Sequence, residues 1–271
     1  MPTPPVILSI AGYDPSSGAG ITADIKTAAA LDCYAATCLT AVTVQSTQGV
    51  YRVRALEPEL ISETLAALAD DLDIAAIRIG MLGSGEVAAA VAGFLEERAP
   101  RNVVLDPVIR SSSGTALLDA AGLDVLRRRM IARSEVITPN VAEAAILAGM
   151  EPYGEGSAWE SAAPQLPALA SHLHDMGARA VVITGGHVNP PNDFLVQWRN
   201  GKLTEEIVPG KHIESRSTHG TGCAFATALA CRLALGDDLS SAVRTAKDYV
   251  RRAILSAYPL GKGVGPLNHF G

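Results

Sequence analysis

The sequence predicts an α/β fold with a mainly parallel central sheet flanked by helices. Three observations carry this reading. Short uninterrupted apolar runs recur along the chain, as in Val6–Ile10, Asn102–Val108 and Ala180–Thr184. A strand that is apolar on both sides belongs in a sheet covered on both faces. Stretches of helical length and periodicity stand between those runs, and Gly-, Pro- and Ser-rich turns punctuate them. With no internal repeat, low-complexity linker or charge block, residues 1–271 read as a single domain.

The elements follow in order. The first apolar run leads through Gly12-Tyr-Asp-Pro-Ser-Ser-Gly-Ala-Gly20 into a helix over about 21–31. Strands are predicted over 37–44 and 51–56, then a helix over 59–71 with Pro58 near its first turn. A strand over 76–81 and a helix over 86–98 come next. The strand 102–108 ends at an acid, Asp106, and Ser111–Gly114 reads as a flexible loop before a helix over 117–131. A strand over 135–139 precedes Asn140, which suits a helix N-cap. Residues 151–164 read as a long surface loop, 167–176 as a helix and 180–184 as a strand. The runs 194–198 and 203–208 flank Arg199-Asn200-Gly201-Lys202, a hairpin turn. Two Ala-rich helices close the chain, one after Cys223 and one over 240–257.

Composition narrows the function classes. Hydrophobic residues make up 48% and charged residues 18% of the 271, enough for a large core. Aromatics are 4%, so that core is mostly aliphatic. A net charge of −6 argues against a nucleic-acid partner, which calls for clustered basic residues. The cluster Arg127-Arg128-Arg129 reads as a solvated helix end. Four cysteines without a CxxC pair fit a reducing compartment. No secretory signal and no apolar run of roughly 18 to 20 residues is found, so the protein is read as cytoplasmic, without a membrane partner.

Three constellations sit where strands end, which is where ligands bind in open α/β sheets. In Ser217-Thr-His-Gly-Thr-Gly-Cys223, two glycines stand before a helix. Such a turn can aim the amides of Gly220, Thr221, Gly222 and Cys223 at one anion, including a phosphoryl group in transit. The same field would favour a thiolate at Cys223. The plainer reading is a turn entering a packed helix, with Cys223 a small buried apolar group. Asp106, Asn140 and Glu143 offer oxygen ligands suited to Mg2+, although Asn140 and Glu143 also make a plausible capping pair. Gly12, Asp14, Asp24, Gln45, Met81 and Val108 form the third group. Gln45 can pair with a heteroaromatic edge, and Met81 and Val108 can wall a flat apolar slot or simply pack in the core. No Gly-x-x-x-x-Gly-Lys-Ser/Thr motif occurs, and no metal-binding Cys/His cluster is evident; His172 and His174 read as surface residues.

These segments resemble the hydroxymethylpyrimidine/phosphomethylpyrimidine kinases. The match is carried by Ala11-Gly-x-Asp-Pro-Ser-x-Gly-Ala-Gly-Ile21, Asp24-Ile-Lys26, Thr40-Ala-x-x-x-Gln-x-x-x-Gly49 and Ile79-Gly-Met-Leu82. It continues through Val104-Leu-Asp-Pro-Val108, Thr138-Pro-Asn-x-x-Glu-Ala144, Gly185-Gly-His187, Ser217–Cys223 and Gly261-Lys-Gly-x-Gly-Pro266. The resemblance implies a ribokinase-like three-layer fold, ATP and Mg2+ as cofactors, and a homodimer. It implies phosphorylation of 4-amino-5-hydroxymethyl-2-methylpyrimidine and then of its monophosphate, in thiamin biosynthesis. By the same resemblance Gln45, Gly12, Met81, Val108 and Asp24 hold the pyrimidine. Cys223 takes the place of an aspartate base, and Gly220, Thr221 and Gly222 form the anion hole. Asp106, Asn140, Glu143, Thr184 and Gly186 serve the nucleotide, with Asp106 and Glu143 on the metal. Thr184 stands where the family has Lys, so that charge is either lost or supplied elsewhere, with Lys247 and Lys262 the candidates. Arg110, in Ile109-Arg-Ser-Ser-Ser-Gly114, is placed to reach a phosphate. The alternatives are a pyridoxal kinase and a non-catalytic ligand-binding protein on the same fold.

Overall fold

Nine strands share one sheet, in the order β3-β2-β1-β4-β5-β6-β7-β8-β9. The computed structural model describes residues 3–111, 114–150, 158–186, 188–199 and 201–271. The strands are β1 (Val6–Tyr13), β2 (Tyr34–Ser46), β3 (Gly49–Ala55), β4 (Ile74–Ile79), β5 (Val103–Leu105), β6 (Val136–Ile137), β7 (Ala180–Ile183), β8 (Asp193–Arg199) and β9 (Lys202–Val208). The six from β2 to β7 in that order run parallel, while β3 pairs antiparallel at one end and β8 and β9 at the other.

Helices α1 (Gly20–Ala30), α8 (Thr221–Ala234) and α9 (Leu239–Leu255) cover one face. Helices α2 (Pro58–Asp71), α3 (Gly85–Arg98), α4 (Ala120–Val125), α5 (Val141–Leu147), α6 (Trp159–Ala162) and α7 (Leu166–Asp175) belong to the other side. Alternate residues of one strand feed the two cores: Leu8 and Ile10 point to one, Ile7 to the other. This is the three-layer arrangement expected from the apolar runs.

Most boundaries agree with the sequence pattern, and the departures have physical reasons. The strand expected over 102–108 is hydrogen-bonded as a ladder only over Val103–Leu105, since Pro107 has no N–H to donate. The helix expected over 117–131 is regular only over Ala120–Val125. It then widens into a π turn over Leu126–Met130 and tightens over Ile131–Arg133, which brings Leu126, Met130 and Ile131 all into the core. The loop expected over 151–164 is in part helical: residues 151–157 lie outside the described residues, but Trp159 and Ala162 of α6 are buried in the core. Ser112 and Ser113 of the expected flexible loop, His187, and Asn200 of the hairpin turn also lie outside the described residues.

Helix starts separate into two kinds. Ser84, Asp119, Asn140 and Asp238 each accept a bond from a backbone N–H and cap α3, α4, α5 and α9. Gly220 precedes α8 in the left-handed conformation, φ 82°, and offers no side-chain cap. No helix among the described residues is long and apolar enough to cross a membrane.

Candidate active site

Beyond the carboxyl ends of β1, β4, β5, β6 and β7 the surface opens into a cavity of about 1470 Å³. One small ligand fills roughly 300–1,000 Å³, so two ligands fit side by side. Strand order reverses at β1, whose neighbours β2 and β4 lead in opposite directions, and the cavity straddles that crevice.

The ring-sized end is lined by Gly12, Gln45, Met81 and Val108. A side chain at Gly12 would bring its Cβ within 2.9 Å of Met81 Sδ, so the glycine keeps the slot flat. Gln45 Oε1 is 3.1 Å from Thr43 Oγ1, and Gln45 Nε2 is 3.2 Å from His219 Nε2. His219 Nε2 is also 2.7 Å from Asp14 Oδ2, so its proton belongs on that nitrogen, aimed at the carboxylate. With no lone pair facing it there, the Gln45 amide keeps a donor for a ring nitrogen.

The start of α8 forms the middle of the cavity. Gly220 must be glycine, because a side chain would collide with the Gly18 carbonyl. Gly222 is exposed to the cavity, and a Cβ built there meets nothing within 4 Å. The N–H groups of Gly222 and Cys223 have no acceptor among the described residues. Two donors and the positive end of a helix thus face open space that a side chain would fill. That geometry fits a phosphoryl group.

Cys223 stands beside those amides, half-buried. The helix start was expected to favour a thiolate, and this is corrected. Burial pushes the thiol up to about 11, against the opposing pull of the Arg78 guanidinium and an N–H from Gly20. The neutral thiol is the resting form.

The far end gathers Asp106, Asn140, Glu143, Thr184 and Gly186. Asn140 and Glu143 form a reciprocal capping box, Glu143 N to Asn140 Oδ1 at 2.9 Å and Asn140 N to Glu143 Oε2 at 3.0 Å. Burial first, and then the charge of Asp106, push the Glu143 carboxyl up to about 8. Asp106 is also raised by burial, although Arg78 bonds its Oδ2 at 2.6 Å. Among the described residues no three His, Cys, Asp or Glu side chains form a cage. A pair of carboxylates suits Mg2+, which takes its other ligands from water and phosphates. Thr184 N donates to Pro139 O at 2.8 Å, which ties the end of β7 to the start of α5.

Asp24 does not line the cavity. It is fully buried, and it accepts from Ser9, Thr227 and Arg78. Three bonds beneath the floor leave it no surface for a ligand, which corrects its placement against the pyrimidine. Of the two candidate lysines, Lys247 lines the cavity, paired with Asp193 at 2.7 Å, and Lys262 does not. Arg110 is exposed on the same wall.

Residues 14–268 match the family model for phosphomethylpyrimidine kinase. The chain belongs to the phosphomethylpyrimidine kinase family. It is 38% identical over 263 residues to the hydroxymethylpyrimidine/phosphomethylpyrimidine kinase of Bacillus subtilis, covering 97% of this chain and 94% of that one. It is also 38% identical to the thiamine biosynthesis bifunctional protein of Geobacter sulfurreducens, over 97% of this chain but only 52% of that one. The family member described here therefore spans about half of that longer relative. Among solved structures, an ADP complex of Bacillus subtilis pyridoxal kinase superposes with a TM-score of 0.86 at 31% identity, covering 98% of both chains. The phosphomethylpyrimidine kinase fold of this chain is thus ribokinase-like, as the family resemblance implied.

Two polar residues of the site escaped the sequence reading. Arg78 is a lone charge in the apolar strand Ile74–Ile79, and that oddity was its signal. His219 was visible only as part of a motif; its partner Asp14 lies in another one.

Proposed function

We propose that this chain transfers the γ-phosphoryl of ATP to 4-amino-5-hydroxymethyl-2-methylpyrimidine, and then phosphorylates the monophosphate. The observation that carries the reading is the pair of unaccepted amides at Gly222 and Cys223, in one cavity with the Gln45 slot. Phosphoryl transfer passes through a loose transition state, and catalysis is mainly positioning and charge stabilisation. The slot holds the ring by Gln45, with Gly12, Met81 and Val108 around it. The hydroxymethyl then faces the start of α8. The open amides of Gly222 and Cys223 hold the charge that develops on the transferring oxygens, with Gly220 and Thr221 shaping the turn that presents them. Asp106 and Glu143 are the residues that would hold Mg2+, which supplies charge neutralisation on the phosphates. Asn140, Thr184 and Gly186 line the nucleotide side, where Lys247 and Arg110 add positive charge. The family resemblance also supports a cytoplasmic homodimer.

A second reading, pyridoxal phosphorylation, is favoured by the likeness to the pyridoxal kinase fold. Coupled ADP release, measured side by side with the pyrimidine and with pyridoxal, decides between them. The proposal expects kcat/KM to favour the pyrimidine. A preference for pyridoxal of about tenfold or more, some 1.4 kcal/mol at the transition state, overturns it.

A further inference from the structure

Arg78 sits in the middle of the sheet, on β4, with its side chain wholly out of water. A buried guanidinium is tolerated only when its donors are met. Here Nη1 reaches Asp24 Oδ2 at 3.1 Å and Nη2 reaches Asp106 Oδ2 at 2.6 Å, so both arms are paired, while Nε has no partner among the described residues. Gly80 makes room for it, since any side chain at that position would collide with the guanidinium.

Each carboxylate leads to a different part of the site. Asp106 ends β5 and opens on the cavity. Asp24 is tied to β1 through Ser9 Oγ at 2.6 Å and to α8 through Thr227 Oγ1 at 2.7 Å. Thr227 Oγ1 also lies 2.8 Å from the Cys223 carbonyl, one turn back toward the start of α8. Arg78 lies directly under the cavity, with no surface open to water. One planar fork therefore links the acid at the nucleotide side to the helix turn that carries the open amides.

We propose that Arg78 is a positioning residue for phosphoryl transfer: its two arms set Asp106 and the first turn of α8 at a fixed separation. The inference rests on the kinase reading for its chemistry. The role calls for arginine, because a lysine ammonium keeps the charge but cannot span both carboxylates with the same geometry. Gln45 stands on β2, bonded by Thr43 rather than by the fork, and stays in place when the fork is lost.

The test is Arg78→Lys in the full chain, with two kinds of readout. Calorimetry compares affinity for a non-hydrolysable Mg2+–ATP analogue with affinity for the pyrimidine, and steady-state ADP release gives kcat. The expected result is a folded protein that binds the analogue about tenfold more weakly. Pyrimidine affinity should stay within about twofold, and kcat should fall roughly 100-fold, the scale of an ångström-sized misplacement. Wild-type affinity for both ligands, with kcat within about threefold, overturns the proposal. So does a parallel loss of both affinities that tracks the folded fraction, which is a purely structural role. If Arg78→Lys does not fold, Thr227→Val cuts the Asp24–Thr227–Cys223 arm alone and must show the same split; wild-type behaviour there overturns the proposal equally. A wild-type protein that releases no ADP defeats the kinase reading instead, and the split in ligand affinity still judges Arg78.

Discussion

His219 Nε2 lies 2.7 Å from Asp14 Oδ2, across 205 residues of chain. Asp14 also accepts from Ser16 N at 2.8 Å, Ser16 Oγ at 2.7 Å and Ala19 N at 2.9 Å. Burial alone would raise this carboxyl, but the bonds from His219 and Ser16 outweigh it and hold the group below its ordinary value. A charged Asp14 therefore does two things. It organises the Gly/Ser/Pro loop after β1, and it fixes the imidazole that stands against Gln45. Asp14→Asn removes the charge and keeps the shape. Its expected effect is a rise in KM for the ring substrate of about tenfold with a smaller change in kcat, read by steady-state kinetics. An unchanged KM would break the link from Asp14 to the ring slot.

Gly222 and Gly220 should respond in opposite ways to alanine. At Gly222 a methyl meets no protein atom, and alanine in a helix is more stable than glycine by roughly 0.5–1 kcal/mol. The melting temperature should hold or rise, while kcat falls about 100-fold or more because the methyl occupies the place of the phosphoryl oxygens. At Gly220 the left-handed φ of 82° and the Gly18 carbonyl both oppose a side chain, so alanine there should destabilise the fold. A Gly222→Ala enzyme with wild-type kcat would remove the anion-hole reading.

Cys223 should matter less than the amides beside it. With its thiol pushed up to about 11, almost none is ionised at neutral pH. Cys223→Ala should therefore lower kcat by about tenfold at most, far less than Gly222→Ala. A larger loss, together with a pH–rate profile that gains a limb near neutrality in the wild type alone, would restore the thiolate as base.

The fold was legible because the chain obeys simple rules over most of its length. Runs such as Val6–Ile10 and Ala180–Thr184 can be buried only between two helical layers. Glycines after apolar runs mark Gly12 and Gly186 in the sequence, and a glycine turn before a helix marks Gly220. What stayed hidden depends on contacts between distant segments. Nothing local to Asp24 shows that Arg78, 54 residues on, closes it off from the cavity. The thiolate expectation failed for a related reason: proximity to a helix start is visible in sequence, but the burial that opposes it is not. The Asn140–Glu143 pair shows the reverse, since a capping box is read within four residues, and the structure contains it.

Glu143 gives the ligand-free protein a stability that declines as pH rises. Its folded pKa, about 8, lies above the ordinary glutamate value of 4.5. The folded chain therefore holds a proton that the unfolded chain has released across that window. Stability is full below about 4.5 and lost as pH climbs through 8. Glu143→Gln keeps the capping box, because glutamine also serves at that position, and it carries no charge. Thermal melts should show the variant several degrees more stable than wild type near pH 9 and nearly equal near pH 5. Phosphoryl transfer should fall at the same time, as a proposed Mg2+ ligand is gone. Parallel melting curves across this range would mean that Glu143 titrates normally.

His269 imposes the opposite slope at lower pH. The residue is 3% exposed, with Nδ1 2.9 Å from the Tyr249 hydroxyl and 3.2 Å from Thr27 Oγ1. Nε2 is buried with no partner among the described residues. Burial, and then the charge of Lys26, push the imidazole down to about 4 from an ordinary 6.5. Between those values the unfolded chain takes up a proton that the folded chain refuses. Stability is complete above about 6.5 and drains away as pH falls toward 4. The span of the shift corresponds to roughly 3 kcal/mol over that window. Tyr249 belongs to α9 and Thr27 to α1, so protonation should loosen the contact between those helices and the C-terminal segment. His269→Asn preserves a polar atom near the Nδ1 position and removes the titration. Urea unfolding at pH 4.5, 5.5 and 6.5 should give a steep fall in wild-type stability and a shallower one in the variant. If the two fall in step, another group sets the acid limit, and a neutral His269 contributes nothing to it.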